Sequence, residues 1–196
     1  MAIQINGNGT ITGISVGGLP DGIVDTDMIA ANAVTSAKST GLGISMVDEW
    51  RVTGSFSGTS TDVSSNWERN DTQFAQIGTG MTQSSGIFTF PSTGIYLVQF
   101  TANAYVSGSG DSRYVGCSIY ATSDNSSYNR RSTSYDSAYS RSANVASSSS
   151  TQLIFDCTDT SNDKVKFRIE SEATATFEIS TDDNRTFATF IRLGDT

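Results

Sequence analysis

From residue 47 onward, large apolar side chains recur at every second position. Phe88 and Phe90 share one face of an extended run. Tyr96, Val98, Phe100, Ala102, Ala104 and Val106 share one face of a longer one. Near the C-terminal end Val165, Phe167 and Ile169 alternate with Lys164, Lys166, Arg168 and Glu170, and Phe177 and Ile179 follow. A period of two marks strands with one buried face. With "EWRVTGSF", "RYVGCSIY", "TQLIFDC" and "FATFIRL", these runs give at least eight candidate strands and no convincing helix between them. Such a set closes most simply as two antiparallel sheets packed face to face.

Between Phe90 and Ile95 the chain reads "FPSTG". Pro91 cannot donate to a sheet ladder and Gly94 can take a positive φ, so a compact, hairpin-like corner is predicted here. Phe90, Tyr96 and Phe100 are expected to lock its two arms into one core.

Residues 1–45 follow a different pattern. "IQINGNGTITGISVGGLPDGIVDT" mixes apolar residues with glycines, and "DTDMIAANAVTSAKSTG" takes up helical spacing. Asp25 or Thr26 suits the N-cap, Met28, Ile29, Ala33, Val34 and Ala37 form a stripe, and Gly41 supplies the stop. A helix of about three turns is marginal alone in water, so its stripe is expected to pack on copies of itself or on another protein. Over residues 14–38, "GLPDGIVDTDMIAANAVTSAK" resembles connector segments of bacteriophage tail-fibre and other appendage proteins, especially those of cyanobacterial phages. There, units ending in I-x-x-x-A-V-T-x-x-K link an attachment end to a distal domain. The resemblance implies an N-terminal attachment and trimerisation segment, residues 1–45, with Ile23, Val24, Met28, Ile29, Ala33 and Val34 as its contact residues. Residues 46–196 are then the head domain.

Composition narrows the function classes. Charged residues make up only 16% of the chain, so the strands' outer faces must be largely uncharged. The net charge is −8 and no basic stripe is visible, so nucleic acid is not an expected partner. The start "MAIQINGNGT" lacks a cationic and then apolar leader pattern, and no window approaches ~18 apolar residues; neither a signal peptide nor membrane insertion is expected. There is no histidine, the commonest general base and metal ligand. The serines lack a recognisable activating partner, and the G-x-S-x-G elbow is missing. Asp182 and Asp183 read as turn residues. No enzyme activity, cofactor or metal is expected. Cys117 and Cys157 lie in apolar runs and read as buried thiols, with a disulfide allowed only if their strands are neighbours.

The stretch "FTFPSTGIYLVQF" is similar to the signature of the globular head of complement's first component and its relatives, which share a jelly roll with the tumour necrosis factor superfamily. Phe88, Gly94, Tyr96 and Phe100 match the spacing. Val98 stands where an aromatic is usual, and Asn70, Gln76 and Met81 depart from the pattern upstream. "TFATFIRL" looks like the closing strand, so the resemblance covers 47–194. It implies an antiparallel two-sheet jelly-roll sandwich that assembles as a homotrimer.

The residues carry a related signal of their own. Ile95 and Leu97 oppose Tyr96 and Val98, Ile154 opposes Leu153 and Phe155, and Ala188 and Phe190 oppose Phe187 and Ile191. Strands apolar on both faces need cover on both. The resemblance places these three strands in the sheet facing the threefold axis, which makes Ile95, Leu97, Ile154, Ala188 and Phe190 the candidate trimer interface. Leaving one large apolar side chain wet forgoes ~1.5–3 kcal/mol.

Residues 122–151 are rich in Ser, with Tyr128, Tyr135 and Tyr139 interleaved with Arg130, Arg131 and Arg141. Tyr with Ser and Asn suits an adaptable recognition surface, here a candidate glycan-binding site. The plainer alternative is a pair of exposed strands with tyrosines lying across them. "SGSGDS" and "DTSNDK" lack calcium-loop spacing and read as turns. The resulting expectation is a bacteriophage virion structural protein: a trimeric tail fibre or appendage, assembled in the host cytoplasm, anchored to other virion proteins and presenting its head to host-surface polysaccharide. The alternatives are a capsid decoration or head-fibre protein, and a glycan-binding module of a bacterial cell surface.

Overall fold

The computed structural model describes residues 4–5, 11–12, 43–106, 112–138 and 144–196. The expected helix, with Ile23, Val24, Met28, Ile29, Ala33 and Val34, lies outside the described residues, as do Tyr139 and Arg141. The chain divides into two compact units, Met1–Leu42 and Gly43–Thr196. In the first, β1 (Gln4–Ile5) and β2 (Ile11–Thr12) pair antiparallel.

The second unit is all strand and loop among the described residues. Its elements are β3 (Met46–Val52), β4 (Phe56–Gly58), β5 (Thr61–Asp62), β6 (Trp67–Arg69), β7 (Thr82–Ser84), β8 (Ile87–Thr89) and β9 (Gly94–Val106). There follow β10 (Tyr114–Thr122), β11 (Asn129–Ser137), β12 (Val145–Cys157), β13 (Lys164–Ser171), β14 (Ala175–Phe177) and β15 (Phe187–Gly194). The larger sheet runs β4-β14-β9-β15-β3-β6, with β12 along the other side of β9; the smaller runs β11-β10-β13-β8-β7, with β5 on β13. Both sheets are antiparallel, and together they form a jelly-roll sandwich.

The alternation read from the sequence sets the core. Every second residue of β9 from Gly94 to Val106 is buried, and Val165, Phe167 and Ile169 meet them from β13. Phe167 lies at the centre of an aromatic cluster, its ring centroid 4.7 Å from Phe100 and 5.3 Å from Phe88. Such pairs add ~0.5–1.5 kcal/mol to the burial of their area.

Ala188 and Phe190, expected on the outer face, instead lie fully within this core. Register decides it. Phe190 sits opposite Val98 and Ala188 opposite Phe100, and directly opposed residues of paired strands project to the same side. Phe187 and Ile191 therefore take the outer face of β15.

The corner at 90–94 also differs from a hairpin. β8 belongs to the smaller sheet and β9 to the larger, so the turn carries the chain across the sandwich. Gly94 has a φ of +144°, and a Cβ there would meet the Gly194 carbonyl at 2.6 Å. Tyr96 donates from its hydroxyl to the Ser92 carbonyl at 2.9 Å and packs on Phe90 at 4.7 Å. Phe100 packs on Phe167 instead.

Cys117 and Cys157 are free and buried, and burial pushes both thiols up to about 11. Cys117 lies against Ser149 of β12, and Cys157 is eight residues further along that strand, about 26 Å at a strand's rise.

Candidate functional site

The larger sheet presents an apolar row on its outer face. Ile154 of β12 sits opposite Leu97 of β9, Leu97 opposite Ile191 of β15, and Ile191 opposite Val47 of β3. Val47 then bridges to Ile77 through two backbone hydrogen bonds of 3.1 Å. One line of five branched side chains thus crosses the sheet from edge to edge. Ile154 is 58% exposed and Ile77 45%, while Leu97, Ile191 and Val47 are half-buried. Ile95, two residues from Leu97, and the exposed Ile44 and Leu193 extend the patch toward the end where residue 43 begins the unit. A contiguous apolar surface of this kind marks an interaction site, whereas singly scattered apolar residues do not.

Further along the same face the rows become polar. Gln152, Gln99, Thr189 and Glu49 lie side by side, and then Ser150, Thr101, Phe187 and Arg51. Glu49 accepts hydrogen bonds from Asn70 at 2.8 Å, Asn184 at 2.5 Å and Thr189 at 3.0 Å. Arg51 is 2% exposed, enclosed by Glu68 at 3.2 Å and Asp71 at 2.5 Å. On the opposite face of β3 the fully buried Asp48 accepts from Arg69 at 2.8 Å, from the Trp50 indole at 2.9 Å and from the Met81 backbone at 2.7 Å. These charges tie residues 68–81 to β3, and so hold Ile77 at the end of the apolar row. Sequence reading did not single out Asp48 or Arg51 and left Val47, Ile77, Phe187 and Ile191 out of the interface. The alternation in "MVDEWRV" carried the signal for Val47; Ile77 lies in a loop and carried none.

The tyrosine-rich segment lies on the smaller sheet and its turns. Tyr135 is 48% exposed and lies across Gly116, whose Cβ would meet its ring at 2.6 Å. It accepts a hydrogen bond from Arg130 at 3.1 Å and meets Tyr114 edge-on at 5.0 Å. Tyr128 is half-buried beneath Lys166, whose ammonium stands 4.8 Å from the ring centroid. Burial raises the Tyr128 hydroxyl above the usual tyrosine range. Arg131 is exposed at the bulge of β11. The structure thus joins Tyr135 to Arg130 but holds Tyr128 apart from them, against Lys166.

The "DTSNDK" turn spends its carboxylates on its own backbone. Asp163 accepts from the Thr158 and Asp159 amides, both at 2.7 Å. Among the described residues no three acidic or thiol side chains converge as a metal site would need.

No family model matches this chain, and no curated protein matches it. Solved structures do. The chain is similar to murine APRIL at pH 5.0, with 17% identity and a TM-score of 0.56 over 76% of this chain and 98% of that one. It is likewise similar to the Eiger TNF of S. frugiperda, with 16% identity and a TM-score of 0.54 over 77% and 94%. The fold is that of the tumour necrosis factor jelly roll. At such identities the likeness speaks for architecture alone.

Proposed function

We propose that this chain is one subunit of a homotrimeric virion appendage, a bacteriophage tail fibre whose jelly-roll head is carried outward by residues 1–45. The carrying observation for assembly is the apolar row Ile154–Leu97–Ile191–Val47–Ile77, uncovered among the described residues, on a sheet whose other face already fills a core. Threefold symmetry follows from the resemblance of "FTFPSTGIYLVQF" to heads built as trimers. In this reading the interface joins Ile95, Leu97 and Ile154 with Val47, Ile77 and Ile191.

The virion assignment rests on residues 14–38, which resemble appendage connectors. A head that binds and an N-terminal piece that attaches suit a fibre better than an enzyme. The test has two arms. Sedimentation equilibrium at micromolar concentration should give three times the 20.8 kDa chain mass; a folded species at the single-chain mass removes the assembly. Gold-labelled antibody against the head should decorate particle tails. Label on the capsid alone replaces the fibre with a decoration protein, and label on uninfected cells replaces both with a cell-surface module.

A further inference from the structure

At the end of β9 remote from the apolar row, the larger sheet encloses a hollow of about 310 Å³ lined by Asn103, Ala104, Ala146, Ser147, Ser148 and Glu178. β9 forms the floor. On one side β12 sets Ser148 opposite Asn103 and Ala146 opposite Tyr105. On the other, the chain leaving β14 is held by the Glu178 amide donating to the Asn103 carbonyl at 2.8 Å. Ala146 leaves the space open, and it and Ser148 are exposed, whereas Ala104 is buried on the core face of β9. Tyr105 lies two residues from Asn103 on the same face, half-buried beside the hollow.

The chemistry of the lining selects a ligand class. Asn103 offers a donor and an acceptor, Ser148 a hydroxyl, and Glu178 a carboxylate. The Ser147 hydroxyl is already spent on Asp136 at 2.5 Å. Glu178 has Arg185 at 3.4 Å, which blunts its pull on a cation, and among the described residues no Lys or Arg lines the hollow to hold an anion and no large apolar side chain lines it. The volume is at the lower limit of small-molecule sites, large for an ion and too small for a chain of rings. What fits is a compact, neutral, hydroxyl-rich ring.

Placement matters as well. Asn103 is nine residues along β9 from Gly94, about 30 Å at a strand's rise. Gly94 lies beside Arg192, which bonds Ser45 at 3.3 Å, close to where residue 43 opens the unit. The hollow is therefore at the end of the head away from its N-terminal junction.

We propose that this hollow binds a single neutral pyranose, such as one unit of a host-surface polysaccharide; the polysaccharide source, though not the pyranose site, rests on the fibre reading above. The test is saturation-transfer NMR on the full chain with methyl α-glucopyranoside, methyl α-mannopyranoside and methyl β-galactopyranoside, with glucuronate and glucosamine as charged comparators. At least one neutral glycoside should bind in the millimolar range, and Asn103→Ala and Ala146→Trp should each weaken it about tenfold, near 1.4 kcal/mol. Lys166→Gln, on the other sheet, should leave binding unchanged. Ser148→Ala provides a gentler variant if Ala146→Trp melts early. No transfer to any neutral glycoside at about 10 mM, preference for a charged sugar, or binding that survives both Asn103→Ala and Ser148→Ala overturns the site. Sedimentation of the same samples separates the two readings: sugar binding by a single-chain species keeps the site and removes the trimer.

Discussion

The two outer faces of the sandwich share a core yet are built differently. On the smaller sheet the outward charges largely pair with one another, although Asp62 Oδ1, the Tyr128 hydroxyl and Arg168 Nε are buried without a hydrogen-bond partner among the described residues. Lys166 pairs with Asp62 at 2.7 Å and stands over Tyr128. Arg168 bonds the Ser60 carbonyl with its guanidinium 5.8 Å from the Tyr120 ring, and Ser118 donates to Glu170 at 2.9 Å. On the larger sheet Ile154, Leu97, Ile191, Val47 and Ile77 line up with no cover among the described residues. One face spends its charges on itself. The other leaves apolar side chains to water, which offers an isoleucine nothing in place of packing.

The largest effect should come from spoiling the unfinished face. Leu97→Asp with Ile154→Asp removes two buried side chains per subunit on assembly, on the order of 3–6 kcal/mol. The sedimentation mass should fall to that of one chain while the far-ultraviolet circular dichroism stays that of a β protein. A trimer that survives would place its interface elsewhere.

Next is the anchor beneath that face. Asp48→Ala leaves the buried Met81 amide without its acceptor and the partly exposed Arg69 guanidinium without its carboxylate, a loss of about 1–3 kcal/mol. Urea unfolding of the head should show it. Because Asp48 helps hold the 68–81 segment carrying Ile77, the variant should also weaken assembly, which the matched charge on the smaller sheet should not do.

That matched charge is Lys166. Its ion pair with Asp62 is partly exposed, at 24% and 39% for the two side chains, so Lys166→Gln should cost under about 1 kcal/mol after solvent screening and leave the sedimentation mass unchanged. A larger loss would mean that the smaller sheet, too, depends on more than its own surface.

The contrast between the faces was only half legible in the sequence. Alternation of apolar and polar residues gave β13 and the 99–106 half of β9 their phase; at 95–98 both parities are apolar. "FATFIRL" has apolar residues at both parities, so nothing in the string chooses between Ala188/Phe190 and Phe187/Ile191; the ladder to Val98 and Phe100 makes the choice. The corner was visible in Pro91 and Gly94, but that its arms belong to different sheets depends on long-range pairing. Asp48 and Arg51 look like ordinary surface charges until the 68–81 segment folds over them. The Asn103 hollow comes from three strands meeting side by side, and no local pattern announces it.

Acid should separate stability from assembly with the smallest effect of the set. Arg113 holds the Glu172 carboxyl down to about 2 through its hydrogen bonds, and the Ser147 hydroxyl lowers Asp136. Carboxyls with depressed folded values contribute stability that is fully present above their unfolded values, near 4.3 for Glu and 3.9 for Asp, and that is lost as pH falls through the folded ones. The melting temperature should therefore hold steady from neutral pH to about 4.5 and decline from there toward about 2. The apolar row contains no titrating side chain, so the sedimentation mass should not change over the steady range. A mass that falls there while melting does not would mean that assembly rests on more than Leu97 and Ile154, and the contrast between the two faces would become one of charge instead of cover.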